Sequence, residues 1–230
     1  MQIQIFDTYE DLSRAAANLV SAQLLIKPNS HIGLTAGKTP VGMFEELVRL
    51  YQSGTVSFSD AWFYNLEEVL CAGYPEFESF HSFFCQTLLE QVGCDPSHMV
   101  LPDSLTTDAQ AECARYDARF AALPDGRLDL QILGIGADGH IGCNRPADAL
   151  QVACHPVSLS QGRSGMAMGV QSNLLSKRLL LLANGEEKAQ AIADLCSGTV
   201  TTACPATLLQ LHPDVVVLLD RTAAFKLKCI

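Results

Sequence analysis

No stretch of this 230-residue sequence approaches the roughly 18 consecutive apolar residues that a membrane-spanning helix requires. The longest apolar candidate, Leu179 to Ala183, is only the length of a strand. Positive charge is also scarce. A net charge of −10 argues against a general nucleic-acid-binding or anionic-membrane-binding surface. Any anion site must then be assembled locally, from a few placed cations and backbone N–H groups. The start, Met1-Gln2-Ile3-Gln4-Ile5-Phe6, lacks the basic end and long apolar middle of a signal peptide and reads as a first strand. The nine cysteines are odd in number and no two form a C-x-x-C pair. Cys85, Cys113, Cys154 and Cys196 stand in apolar or helical surroundings. They read as reduced packing thiols of a cytoplasmic protein rather than as a zinc site or a disulfide framework. Internal repeats, low-complexity tracts and linkers are missing as well, which predicts one domain over residues 1–230.

What is present is an alternation of short apolar runs with helix-period segments. Strands are predicted at Gln2–Phe6, His31–Thr35, Ala61–Leu66, Leu128–Gly134, Met166–Val170, Arg178–Ala183 and Val215–Asp220. Helices are predicted at Tyr9–Leu25, Val41–Gln52, Phe80–Val92, Asp108–Ala122 and Glu186–Cys196, with Asp7 and Glu10 forming the cap of the first. This order implies an α/β fold, a doubly wound, largely parallel sheet with helices on both faces. Ligands of such sheets bind outside the carboxyl ends of the strands, where the strand order reverses, so the loops after strands are where chemistry is expected.

Three of those loops carry unusual residues. Gly33-Leu34-Thr35-Ala36-Gly37-Lys38-Thr39-Pro40 leads from a strand into a helix. Its glycines admit a close ligand, Pro40 suits the first helical turn, and the free N–H groups with two threonine hydroxyls suit a phosphate. It is not a Walker loop, because position 32 is isoleucine where that motif needs glycine. The second, Phe63-Tyr64-Asn65-Leu66-Glu67-Glu68, puts two carboxylates at the end of an apolar strand, where one can serve as a general base with its pKa raised by burial or by its neighbour. The third, Leu133 to Pro146, turns through glycines to present Asp138 and His140 as a proton-transfer pair. Its G-x-G-x-D-G opening is no dinucleotide fingerprint, since no acidic residue ends a further strand at the required distance. A fourth, weaker feature is Lys188, in the first turn of the helix after Ala183-Asn184-Gly185, within reach of a phosphate in the first loop.

The strings GLTAGKTP, YNLEEV, GIGADGHIGCNRP, NGEEKAQA and LQLHPDVVVLLD stand in the order and spacing of glucosamine-6-phosphate deaminases. From about His31 to Asp220 the chain resembles that family, with galactosamine-6-phosphate isomerases and 6-phosphogluconolactonases as close relatives. After His140, Ile141-Gly142-Cys143-Asn144-Arg145-Pro146 resembles the deaminase form His-Ile-Ala-Phe-Asn-Glu-Pro more than the lactonase form Thr-Ala-Ser-Leu-Phe-Pro. The resemblance implies a Rossmann-like fold and a reaction on a 2-amino-2-deoxyhexose 6-phosphate, giving a ketose 6-phosphate and ammonia. It implies ring opening by His140 with Asp138, proton transfer from C2 to C1 by Glu67, and a phosphate held by Thr35, Ala36, Gly37, Lys38, Thr39 and Lys188. The partner is then a small sugar phosphate. No metal or redox cofactor is expected, because a proton shuttle between adjacent carbons needs none. A homo-oligomer is compatible with the family.

Glu67 stands where the family carries aspartate, and Arg145 where deaminases carry a glutamate supporting the histidine. The stretch Gln151 to Gly165 is shorter than the deaminase region that supplies a phosphate-contacting arginine and part of a lid, leaving Arg163 as the local replacement. Glu68 or Asp138 is then the candidate to support His140, and Arg145 a candidate substrate contact. A lactonase-type hydrolase, with His140 activating water and Arg145 stabilising an oxyanion, is the second reading. A sugar-phosphate-binding protein without catalysis is the third.

Overall fold

The computed structural model describes residues 1–73, 78–159 and 162–227. The chain runs β1 (Gln2–Phe6), α1 (Tyr9–Ile26), β2 (His31–Leu34), α2 (Val41–Gln52), β3 (Trp62–Asn65), β4 (Glu67–Val69) and α3 (Phe80–Phe84). It continues through β5 (Met99–Val100), α4 (Ala109–Ala121), β6 (Leu130–Gly134), β7 (His155–Ser158), β8 (Ser164–Ala167) and α5 (Val170–Leu174). β9 (Leu179–Ala183), α6 (Ala189–Leu195) and β10 (Val215–Asp220) complete it. Seven strands form one parallel sheet in the order β1-β10-β9-β6-β2-β3-β5.

Strand alternation explains why both faces of this sheet are covered. Along β9 and β10, Leu180, Leu182, Val216 and Leu218 join the apolar cluster under α1 and α2. Leu179, Leu181, Val215, Val217 and Leu219 join the opposite cluster, with Tyr116 and Phe120 of α4 and Ile192 of α6. Strands buried on both faces need continuous apolar runs, which is why these segments were legible in the sequence. Sequence order runs outward from β2 to β3 and β5 on one side, and through β6 to β9 and β10 on the other. The order therefore reverses between β2 and β6.

Three expectations require correction. The strand expected at Met166–Val170 is β8, Ser164–Ala167, and it does not enter the parallel sheet. It pairs antiparallel with β4 and β7 in a separate three-stranded sheet. The helix expected over Phe80–Val92 is α3 followed by a π-helical turn at Cys85–Leu89. The first helix is capped by Thr8, whose hydroxyl accepts the Asp11 N–H at 3.1 Å, and not by Asp7 with Glu10.

Candidate active site

The loops after β2, β6 and β9 meet beside the reversal point and, with Glu67 of β4, enclose a cavity of about 360 Å³. The β2 loop forms one wall. Thr35, Ala36, Gly37, Lys38 and Thr39 all line it. Gly37 turns the loop at φ +113°, a backbone conformation that side chains with a Cβ rarely adopt. The Tyr9 hydroxyl ties the wall to α1. It accepts the Gly42 N–H at 2.8 Å and donates to the Thr39 carbonyl at 2.9 Å. Thr39 in turn donates to Asn184 Oδ1 at 2.6 Å, which joins the β2 loop to the β9 loop carrying Lys188. Lys38 and Lys188 are the lining cations.

The rest of the lining includes Glu67 and His140, the residues expected to transfer protons. His140 Nδ1 lies 2.5 Å from Asp138 Oδ1, and the same oxygen accepts the His140 backbone N–H at 3.2 Å. Burial pushes the Asp138 carboxyl up, but these bonds from His140 outweigh it and hold the group below the usual carboxylate range. His140 fits against Gly136 so closely that a Cβ there would stand 2.1 Å from the ring. Glu67 lines the cavity and accepts the Cys143 N–H at 2.6 Å. Burial raises its pKa above the ordinary value, and Cys143, His140 and Arg145 pull it partly back. A raised pKa is the direction expected for a carboxylate buried at the end of this strand.

Glu67, His140 and Lys188, remote in the chain, thus share one cavity with the whole Thr35–Thr39 loop. Asp138 stands behind His140. Three other candidates do not line the cavity. Glu68, adjacent to Glu67 on a strand, points the other way and is 1% exposed. Its Oε1 accepts the N–H groups of Val69 at 2.8 Å and Phe80 at 2.6 Å, and its Oε2 that of His81 at 2.9 Å. Burial lifts it to about 7 against these bonds. Arg145 is exposed and outside the lining, although its charge reaches Glu67. Arg163 sits at the β7–β8 turn, where its backbone carbonyl accepts the Leu159 N–H and its charge reaches Cys71. Residues 160 and 161 of the expected lid stretch lie outside the described residues.

Sequence reasoning missed Gly136, Asn184 and Glu187, which also line the cavity, and the Cys143 N–H that holds Glu67. Asn184 had a usable signal, as the polar residue directly after an apolar strand. The bond from Cys143 had none, because 76 residues separate it from Glu67. Among the described residues, no group of three His, Cys, Asp or Glu side chains is arranged to hold a metal ion. No described helix is long and apolar enough to cross a membrane.

Comparison with known proteins adds a second line of evidence. The profile of the family described as glucosamine-6-phosphate isomerases/6-phosphogluconolactonase matches residues 7–218. The glucosamine-6-phosphate deaminase of Halothermothrix orenii is 36% identical over 240 aligned residues, covering 97% of this chain and 99% of its own. That of Lachnoclostridium phytofermentans is 37% identical over 92% of this chain and 95% of its own. Among solved structures, a monomeric glucosamine-6-phosphate deaminase superposes with a TM-score of 0.91 at 34% identity, covering 98% of this chain and 99% of that one. The 6-phosphogluconolactonase of Leishmania guyanensis superposes at 0.78 with 21% identity over 99% of both chains, so it shares the fold.

Proposed function

The chain belongs to the glucosamine-6-phosphate isomerase/6-phosphogluconolactonase family, and from that premise we propose that it deaminates a 2-amino-2-deoxyhexose 6-phosphate. The products are a ketose 6-phosphate and ammonia. The observation that most supports this is the meeting of a base, an acid–base histidine and a phosphate-suited loop in one cavity. The whole-length deaminase relatives favour this chemistry over lactone hydrolysis, for which the structural likeness is one of fold.

In this reading the phosphate lies against the N–H groups and hydroxyls of Thr35 to Thr39, with Lys38 and Lys188 supplying charge. Clamping the remote end of the substrate fixes the reacting carbons and converts binding into orientation. Asp138 orients the His140 ring, which takes the proton of the C1 hydroxyl and returns one to the ring oxygen, so the C1–O5 bond breaks and the aldehyde forms. Glu67, as carboxylate, removes the proton from C2 while the C1 oxygen takes one from solvent, and that solvent proton leaves at the end with the ammonia as ammonium. The resulting enolamine takes the proton back from Glu67 at C1, giving a ketose iminium, and water hydrolyses that iminium to the ketose and ammonium. Protons balance over the sequence and one water is consumed. Partial burial of Glu67 makes it a stronger base than an exposed glutamate, as C–H abstraction demands.

A cytoplasmic setting is part of the proposal, supported by the free thiol state of every described cysteine. The test is direct. The purified protein is incubated with glucosamine 6-phosphate and with galactosamine 6-phosphate, and ammonia is measured. Release from at least one is expected. Release from neither, with accelerated hydrolysis of a 6-phosphate sugar lactone, would replace this reading with the hydrolase one. Thermal stabilisation by sugar phosphates without any turnover would replace it with the binding one.

A further inference from the structure

We propose that Glu68 is a positioning residue that holds the base Glu67 in place by fastening β4 to α3. The proposal rests on the reading of Glu67 as base. β4 is three residues long and lies at the edge of its small sheet, with β8 on one side only. Along the other side, the fastening is the Glu68 carboxylate. It accepts the backbone N–H groups of Phe80 and His81, the first two of α3, while the Ser79 hydroxyl accepts that of Ser82. A helix normally leaves these donors for its own cap or for water. Here a side chain from the strand that bears Glu67 supplies the acceptor.

α3 is a firm anchor because its far end is part of the core. Phe84 is 0% exposed, and its ring packs edge-on to Phe44 of α2 at 6.2 Å between centroids. Leu88 and Leu89 of the following π-helical turn belong to the same cluster. The chain of contact therefore runs from the core through α3 to Glu68, and by one peptide unit to Glu67. On the far side of Glu67, the Cys143 N–H fixes its carboxylate from the loop that carries His140. Strand alternation aims the two neighbouring carboxylates in opposite directions, one to the cavity and one to the helix. The acidic pair thus divides into a reacting group and its fixture.

Glu68→Gln keeps the size of the side chain but places an amide N–H against one of the backbone donors. Backbone amide exchange by NMR and steady-state ammonia release are measured on the same preparation. Exchange at Phe80, His81 and Cys143 is expected to accelerate together, by about 10-fold or more, because loosening β4 also frees Glu67 from the Cys143 amide. Turnover is expected to fall about 10- to 100-fold with KM within about threefold, the signature of a displaced base and an intact phosphate clamp. Faster exchange at Phe80 and His81 with Cys143 unchanged would overturn the proposal and leave Glu68 a local helix cap. Unchanged turnover alongside faster exchange would do the same. A wild-type protein without ammonia release would sink the functional reading alone, since the exchange measurement needs no turnover. Where Glu68→Gln does not fold, Glu68→Asp, too short to reach all three donors, is subjected to the same readouts.

Discussion

Gly136→Ala is the sharpest perturbation of the proposed proton-transfer pair, Asp138 and His140, that leaves both residues in the sequence. An alanine Cβ at this position would stand 2.1 Å from His140 Cε1 and Nδ1 and 2.7 Å from Asp138 Oδ1. Ordinary contact begins at 3.4 Å, so the imidazole must retreat by about 1.3 Å, the difference between that limit and the 2.1 Å approach. Retreat breaks the 2.5 Å contact of Nδ1 with Asp138 and removes the group that fixes the ring. A misplacement of about 1 Å costs on the order of 100-fold in rate, or about 2.7 kcal/mol of barrier. Turnover of the aminosugar phosphate is therefore expected to fall at least about 100-fold. The atoms nearest a Cβ at Gly136 belong to His140 and Asp138 and not to the Thr35–Thr39 loop proposed to hold phosphate, so inorganic phosphate, titrated calorimetrically, is expected to bind with affinity within about twofold of wild type. A variant that turns over at near wild-type rate would refute the assignment of His140 to the chemistry. Loss of phosphate binding in parallel would show that the substitution disturbs the whole cavity and not His140 alone.

The pH profile follows from Glu67. Burial raises its pKa, and a base must be ionised to act, so kcat/KM should rise with pH through a limb above the ordinary glutamate range. Arg145→Ala removes a cation that pulls Glu67 down, so the limb should move to higher pH; a shift to lower pH, or none at low salt, would contradict the proximity of Arg145 to the base. Tyr9→Phe deletes the hydroxyl that accepts the Gly42 N–H and donates to the Thr39 carbonyl. Phosphate affinity should fall about 5- to 30-fold, the worth of one or two lost hydrogen bonds, with kcat little changed, as read by calorimetry and initial rates. Glu67→Gln, isosteric but without a base, should lower ammonia release by about 1,000-fold or more while leaving inorganic phosphate affinity intact; equal loss of both would assign Glu67 to the architecture.

The parallel sheet was legible because its inner strands bury both faces and read as apolar runs, as Leu179–Ala183 and Val215–Asp220 do. The small antiparallel sheet was hidden for the converse reason. β4 opens with two glutamates, and β7 alternates around a histidine and a proline. Neither has the composition of a strand, and each is held by pairing partners distant in the chain. The cavity walls were legible wherever a glycine-rich turn followed a strand. Roles within the acidic pair were not. Both carboxylates occur in one apolar string, and only the direction of each side chain separates the group facing the cavity from the group facing α3. Arg145 and Arg163 entered the candidate site through the family resemblance, as the residue standing for a deaminase glutamate and as the local replacement for a family arginine, but neither lines the cavity.

Isotope transfer addresses the chemistry at its centre. Glucosamine 6-phosphate, or its galactosamine epimer if that is the substrate turned over, is prepared with deuterium at C2, and the ketose product is examined at C1 by NMR. The proposed reaction predicts a primary isotope effect on turnover and deuterium recovered in part at C1, both tied to the Glu67 carboxylate. Ammonia released with no isotope effect and no label at C1, at rates unchanged by Glu67→Gln, would contradict it.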